Sequence, residues 1–219
     1  EIYATEFEGE GLDKKVDNAV DYLISEFDGR GRVRVTPKDD GTPWQWESDI
    51  VWDFDDGHGN NGIHLDIDRN VKIEYTGSGT ALKIKDQDNR NTEPHTISGG
   101  VWEPTADDAD ICFHLQSVVN CLIEDCSLHE WTASDGECTG IYIQTDDDSA
   151  DDGWSELNTL RRLYIRADRC IDMRGSDSTG QGDRDSLHGH TVSDVWLQTE
   201  SDFCLRLAGG ANVCDIRKL

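Results

Sequence analysis

The stretch ICFHLQSVVNCLIEDC (residues 111–126) holds two short apolar segments separated by a polar turn. The first segment contains the triplet Phe113-His114-Leu115, in which two apolar residues flank a polar one. Such alternation is typical of a half-buried β-strand, because successive side chains of a strand point to opposite faces. Three of the chain's seven cysteines also lie here, so the stretch is either a pair of strands or a metal or disulfide site.

The same apolar-x-apolar triplet recurs along the chain. Its copies are spaced by 31, 28, 30 and 34 residues and begin at Leu82, Phe113, Ile141, Ile171 and Leu205. A second series, in which Asn or His precedes a small and then an apolar residue, begins at residues 95, 120, 158, 190 and 212. Two interleaved strand series with a drifting period predict a solenoid of β-coils whose corner loops differ in length.

An amphipathic helix precedes these strands. Residues 12–27 (LDKKVDNAVDYLISEF) place apolar side chains at helical spacing, and a DGRG segment then ends the pattern. The next segment, VRVTP (residues 33–37), reads as a strand that ends in proline. A helix, a strand ending in proline and then repeated short strands together resemble the pectate-lyase-like right-handed β-helix superfamily, which includes viral tailspikes and fibres. The resemblance implies that the helix caps the first coil.

We therefore predict an all-β fold, a right-handed parallel β-helix with an N-terminal capping α-helix. The predicted organisation is a capping segment over residues 1–31 and a solenoid over residues 32–219. The repeat period gives this solenoid roughly five to six coils and suggests that it continues beyond Leu219. A β-sandwich is the alternative, because seven to nine short strands can imitate weak repeats.

The solenoid offers a structural explanation for most cysteines. The residue before each triplet is small in every copy: Ala81, Cys112, Gly140, Cys170 and Cys204. Equivalent residues of stacked coils lie one strand spacing apart, so a buried column has to accept the same size repeatedly, and Cys behaves as a small apolar residue. In the second series, the same alignment groups Cys121 with Thr96 and Cys214 with Ile97. Cys126 and Cys138 have no place in it, and a disulfide or a metal site remains the alternative.

The charge of the chain is strongly negative. It carries 46 acidic and 20 basic residues, a formal net charge of −26, and Asp outnumbers Glu by 32 to 14. Such self-repulsion suits concentrated salt, and the composition is similar to that of proteins from extremely halophilic archaea and their viruses. Nucleic-acid binding is disfavoured because there is no basic stripe to neutralise phosphates. No apolar run is long enough to span a membrane.

Some residue clusters could carry chemistry. The segment TDDDSADDGW (residues 145–154) is a candidate Ca²⁺ or Mg²⁺ site, because hard cations prefer clustered oxygens. Its candidate ligands are Asp146, Asp147, Asp148, Asp151 and Asp152. We expect Trp131 and Trp154 to lie in corner loops, where their rings could stack on sugars. Trp196 lies within a strand, where we expect it to be at least partly packed.

Three histidines are candidate site residues. The GHG segment at residues 57–59 matches a short motif of polygalacturonase-like hydrolases, but its position favours a loop histidine for His58 over a catalytic one. His188 and His190 have metal-like spacing. A buried polar column containing His190, His95, Asn120 and Asn158 is the favoured interpretation. No catalytic residue is assigned.

The favoured function is that of a virion adhesion or structural protein, such as a tail fibre, tailspike or capsid decoration of a haloarchaeal virus, exposed on the virion surface. The resemblance implies a homotrimer whose partners are other virion proteins and a host glycan or S-layer glycoprotein. The alternative is a polysaccharide lyase or glycoside hydrolase from a halophile or a viral depolymerase, and a host cell-surface protein is a third class. No pair of carboxylates stands out among so many acids, and enzymatic activity therefore stays undecided.

Overall fold

The structure is a computed structural model, and it describes residues 1–54, 62–85, 94–105, 109–134, 136–145, 155–175, 187–199, 201–208 and 214–218. Among these residues the chain forms a right-handed parallel β-helix with one α-helix near its N-terminus, as predicted. Every strand pair in it is parallel, and consecutive strands of each sheet come from consecutive coils. The predicted helix near the start of the chain is also confirmed, because α1 spans Leu12–Phe27.

The coils form two large sheets. Sheet B contains β4 (Ile50–Asp53), β7 (Thr80–Lys85), β10 (Ile111–Gln116), β13 (Thr139–Gln144), β16 (Arg169–Arg174) and β19 (Phe203–Ala208). Sheet A bends at one corner into two limbs. Its first limb contains β1 (Ile2–Tyr3), β2 (Gly31–Val35), β5 (Ile63–Ile67), β8 (His95–Ser98), β11 (Cys121–Glu124) and β20 (Asp215–Arg217). Its second limb contains β3 (Trp44–Trp46), β6 (Lys72–Tyr75), β9 (Val101–Pro104) and β12 (Ser127–Trp131).

Two long strands, β15 (Thr159–Ala167) and β18 (Thr191–Gln198), run through the bend and belong to both limbs. A short pair, β14 (Ser155–Glu156) and β17 (Leu187–His188), lies at another corner. The inward side chains of both sheets form one apolar core, and the buried side of α1 joins it through Leu12, Val16 and Leu23. The helix thus covers apolar surface at one end of the core, in agreement with a capping role.

The small-residue column of sheet B is confirmed. The register pairs Thr80 with Ile111 and Leu82 with Phe113, so Ala81 lies beside Cys112. The same argument extends the column through the next three coils, and its members are Ala81, Cys112, Gly140, Cys170 and Cys204. All seven cysteines are free thiols, and five of them are buried. Cysteine here fills space, and its buried thiols at Cys112 and Cys126 have a pKa raised by burial.

The columns predicted for Cys121 and Cys214 were wrong, by one position for Cys121 and by two positions for Cys214. The register pairs Cys121 with His95 and Thr191 with Asp215, which places Cys214 beside His190. The cause is Asn120, which adopts a left-handed conformation (φ 62°) just before β11 and leaves its expected place in the column to the next residue. The resulting polar column reads Ile63, His95, Cys121, Asn158, His190 and Cys214.

The polar column is held by hydrogen bonds from the backbone. The N–H of Ile63 donates to Nδ1 of His95 (3.2 Å), that of Cys121 to Oδ1 of Asn158 (2.8 Å), and that of Asn158 to Nδ1 of His190 (3.3 Å). Each side chain therefore satisfies a backbone donor of the preceding coil. Burial lowers the pKa of His190 to about 4, so its imidazole is neutral near pH 7. The favoured structural interpretation of His190, His95 and Asn158 is confirmed.

At the bend of sheet A, five successive coils carry a left-handed residue. These residues are Gly99, Asp125, Arg162, Asp194 and Lys218, and their φ angles are 84°, 57°, 52°, 54° and 55°. From Asp125 onward their charges alternate in sign. Arg162 donates from Nε and Nη2 to the Asp125 carboxylate (both 2.9 Å), and Nζ of Lys218 donates to Asp194 (2.8 Å). We call these residues the charged corner.

Candidate functional site

The outer face of sheet B carries the middle residue of every apolar-x-apolar triplet. Because the flanking residues point into the core, the middle ones point outward. The register stacks them in one row along the solenoid axis: Lys83, His114, Tyr142, Asp172 and Arg206. A parallel row contains Lys85, Gln116, Gln144 and Arg174. Polar and aromatic side chains thus line a continuous face about 4.8 Å apart from coil to coil.

A groove lies across this face. It has a volume of about 250 Å³ and is lined by Asp110, Ile111, Glu137, Thr139, Tyr142, Arg169, Asp172 and Arg174. Its walls combine carboxylate acceptors, guanidinium donors, a hydroxyl and an aromatic ring. Ligand sites typically contain such convergent polar groups beside apolar surface.

Asp172 organises the arginines of the groove. Its side chain is only 2% exposed, yet it accepts hydrogen bonds from Nε of Arg174 (2.9 Å) and Nε of Arg206 (2.8 Å). The Arg174 guanidinium also lies over the ring of Tyr142, 5.5 Å from its centroid. A buried carboxylate shared by two guanidinium groups fixes their orientation, because charge-assisted hydrogen bonds are strong and directional. The remaining donors of both arginines are therefore held in place at the surface.

Arg169 forms the opposite wall of the groove. Its Nε donates to Asp202 (2.7 Å), and its guanidinium pairs with Glu137 (3.3 Å). Together with the neighbouring rows, the face carries five of the chain's 20 basic residues: Lys83, Lys85, Arg169, Arg174 and Arg206. Acidic partners balance most of them. The face is therefore close to neutral in a chain whose net charge is −26.

Two buried polar groups extend the groove along the rows. His114 stacks on Tyr142 (ring centroids 4.9 Å apart) and is only 6% exposed, and burial, with Lys83 and Lys85 nearby, lowers its pKa to about 3. Its Nε2 has no hydrogen-bond partner among the described residues, and neither has Oε1 of Gln116, which is 8% exposed. Buried polar atoms are normally satisfied by protein, water or ligand. Both atoms have almost no exposed surface, so they are unsatisfied groups beneath the outer face of sheet B.

Trp131 does not occupy the predicted corner loop. It lies at the end of β12 with no exposed surface, stacks on Tyr75 at 5.7 Å and donates from Nε1 to the carbonyl of Trp102 (3.3 Å). The expectation of an exposed ring was wrong because Glu130 adopts a left-handed conformation (φ 56°) and shifts the register of β12. The side chain that follows Glu130 consequently points into the core, where it has no contact with a ligand.

The structure does not describe the other predicted site residues. Trp154, His58 and the predicted cation ligands Asp146, Asp147, Asp148, Asp151 and Asp152 lie outside the described residues. Within the described ranges, no group of three or more His, Cys, Asp or Glu side chains is placed to hold a metal ion. No helix in the described part of the chain has the length and apolar character needed to cross a membrane.

The sequence did not predict the groove residues Tyr142, Asp172 and Arg174, nor Arg206, which contacts Asp172. The signal was present, because three of the four lie at the middle of a triplet and Arg174 lies two residues after the middle of one, and strand alternation places both positions on the outer face. What the sequence does not contain is the shared contact of two arginines with one buried carboxylate. That contact joins strands 34 residues apart.

Comparisons with known proteins add no relative: the chain matches no family model, no curated protein and no solved structure. The fold and the groove are therefore the basis for a functional proposal.

Proposed function

We propose that this protein is a carbohydrate-binding adhesion module whose groove on sheet B binds a cell-surface glycan. The observation that carries the proposal is the cluster of Tyr142, Asp172, Arg174 and Arg206. It presents oriented guanidinium donors beside an aromatic ring in a groove of about 250 Å³. Sugar hydroxyls need paired donors and acceptors, and the groove supplies both beside the Tyr142 ring, which His114 and Arg174 hold in place.

The geometry favours binding over catalysis. Asp172 already accepts hydrogen bonds from two arginines through both carboxylate oxygens. A glycosidase needs a pair of carboxylates that are free to donate a proton and to attack or activate water. In the groove, Asp172 instead acts as a support for the arginines.

The biological setting we propose is attachment to the surface of a salt-adapted cell, as by a tail fibre or tailspike of a virus. Two features support this setting. The fold is a parallel solenoid, and the Asp-rich surface with its net charge of −26 is suited to high ionic strength.

The test is calorimetric titration of the purified chain with oligosaccharides released from archaeal surface glycoproteins, in molar KCl. We expect Asp172→Asn and Tyr142→Ala to weaken binding about tenfold or more. Asp66→Asn is the matched control, because Asp66 also pairs with two arginines, Arg32 and Arg34 (both 3.5 Å), but on the first limb of sheet A. Circular dichroism of each variant checks that the fold is retained.

Two outcomes would overturn the proposal. One is equal weakening by the groove variants and by the control. The other is the release of reducing ends or unsaturated uronates during incubation, which would make the protein a polysaccharide hydrolase or lyase. Particle-binding assays that compare intact cells with deglycosylated cells address the adhesion part separately.

A further inference from the structure

A second ligand-facing feature lies on the second limb of sheet A, away from the groove. The rings of His129, Tyr164 and Trp196 come from three successive coils and lie side by side on the outer face. Their centroids are 5.0 Å apart between His129 and Tyr164 and 6.4 Å apart between Tyr164 and Trp196. We call these three residues the aromatic strip.

Trp196 is the exposed tryptophan of the described chain. Its side chain is 67% exposed, whereas Trp46, Trp102 and Trp131 are completely buried. The reason is local: Asp194 makes the left-handed bend, Val195 then points into the core, and Trp196 points outward. Trp196 is therefore partly packed, as expected, but most of its surface is exposed. An exposed indole next to other rings is a larger apolar surface than a single exposed side chain.

Polar groups surround the strip, and its charges are paired. Oη of Tyr164 donates to Oε1 of Gln198 (3.5 Å), and Nδ1 of His129 lies 3.7 Å from Oε1 of Glu103. Beside them, Arg166 pairs with Glu130. The strip is thus an aromatic surface with a balanced polar rim on an otherwise strongly acidic protein.

We propose that the aromatic strip is a second carbohydrate site, which binds the apolar ring faces of a neutral hexose polymer by stacking on Trp196 and Tyr164. A neutral sugar fits because a ring face covers the indole while its hydroxyls reach Gln198 and the charged rim. An acidic glycan fits less well because the nearby Arg166 is already paired with Glu130.

The inference shares the carbohydrate ligand class with the proposed function, but it concerns a different face. Two separate sites on a rigid solenoid would let one long polymer, or two neighbouring chains of a glycan layer, contact the protein twice. Such bivalence raises the apparent affinity for a polymer far above that for a short oligosaccharide.

The test uses cellohexaose as a neutral probe and follows tryptophan fluorescence and heat of binding in molar KCl. We expect Trp196→Ala to abolish most of the ligand-induced fluorescence change and to weaken binding about tenfold. Tyr164→Ala should weaken it less. Leu157→Ala is the matched control, because Leu157 is also exposed (55%) but lies outside the strip. It should bind like the unmodified chain.

The outcomes separate the two proposals. Loss of cellohexaose binding in Trp196→Ala, with full binding in Asp172→Asn, supports the strip and leaves the groove to its own test. If only Asp172→Asn loses cellohexaose binding, the groove is the binding site and the proposal for the aromatic strip is overturned. The inference is also overturned if the unmodified chain does not bind cellohexaose, or if sedimentation shows dimers that Trp196→Ala dissociates.

Discussion

Two inward-facing columns run along the solenoid, and they follow different rules. The small-residue column of sheet B is limited by space: a Cβ added at Gly140 would lie 2.8 Å from the carbonyl oxygen of Cys170 and 2.7 Å from Ile165. The polar column of sheet A is limited by hydrogen bonding, since its side chains accept from backbone N–H groups of the preceding coil. One architecture thus selects residues by volume on one sheet and by acceptor atoms on the other.

The most sensitive position in this comparison is Asn158. Its side chain accepts from the Cys121 N–H (2.8 Å) and donates to the Val118 carbonyl (2.8 Å). Asn158→Leu keeps the number of side-chain heavy atoms but leaves a buried N–H without a partner, so we expect the free energy of unfolding to fall by about 3 kcal/mol. Urea unfolding followed by circular dichroism measures it. Thr159→Val, one residue further on the outer side, is the control, and an equal loss there would contradict the column's role.

Acid should destabilise the polar column. The folded-state pKa of His190 is about 4, below its ordinary value of 6.5, so the unfolded chain takes up the proton first. The stability is complete above about pH 6.5 and falls as the pH drops toward 4, by roughly 3 kcal/mol for this group. His114, with a pKa of about 3, acts in the same direction. His190→Asn should flatten the pH dependence measured by urea unfolding.

Alkali should act on the other column. Burial raises the pKa of Cys170 to about 12, with Cys204 as a further cause, whereas an ordinary thiol ionises near 9. The stability it contributes is present below pH 9 and is lost as the pH rises toward 12. Cys170→Ala should therefore reduce the alkaline loss of stability while leaving the acid limb as it was. An unchanged alkaline limb would show that thiol burial does not couple to folding here.

Overpacking tests the space limit directly. Gly140→Ala introduces a methyl group against a backbone oxygen, which cannot move as easily as a side chain, and should cost about 2 kcal/mol. Cys112→Ala, in the same column, removes one sulfur atom and should cost about 1 kcal/mol. Thermal unfolding of both variants shows which one loses more stability. A larger loss in Cys112→Ala would contradict a column limited by space.

The smallest expected effect concerns the thiols themselves. Titration of the denatured, non-reduced chain with a thiol reagent should give seven free thiols. A count below six would show that a disulfide joins the columns, and would replace packing by a covalent constraint as the reason for the cysteines.

The two columns also show how much of the strand register can be predicted from the sequence. The triplets fixed the register of sheet B because their spacing has no insertion inside a strand, and Cys112 and Cys170 fell where expected. On sheet A, the left-handed Asn120 moved the column by one residue, and the left-handed Glu130 turned Trp131 inward. A conformation of a single residue reverses every later side chain of a strand, and composition gives no indication of it.

Left-handed residues also explain why the exposed tryptophan was not predicted from the sequence. Trp131 and Trp196 both follow a left-handed residue, directly for Trp131 and after one inward Val195 for Trp196, so one is buried and the other exposed. The groove depended on contacts between coils, such as Arg206 with Asp172, which periodicity alone does not reveal. The outward face of the triplets was predictable from alternation, but its grouping into a site was not.

The charged corner bears on how such a chain can change length during evolution. Along it, Asp125, Arg162, Asp194 and Lys218 alternate in sign on successive coils. Deletion of the single coil that contributes Arg162 would set Asp125 beside Asp194, whereas loss of two adjacent coils would keep every neighbour opposite in charge. Gene rearrangements that add or remove coils in pairs are therefore tolerated better at this corner than those that change the number by one.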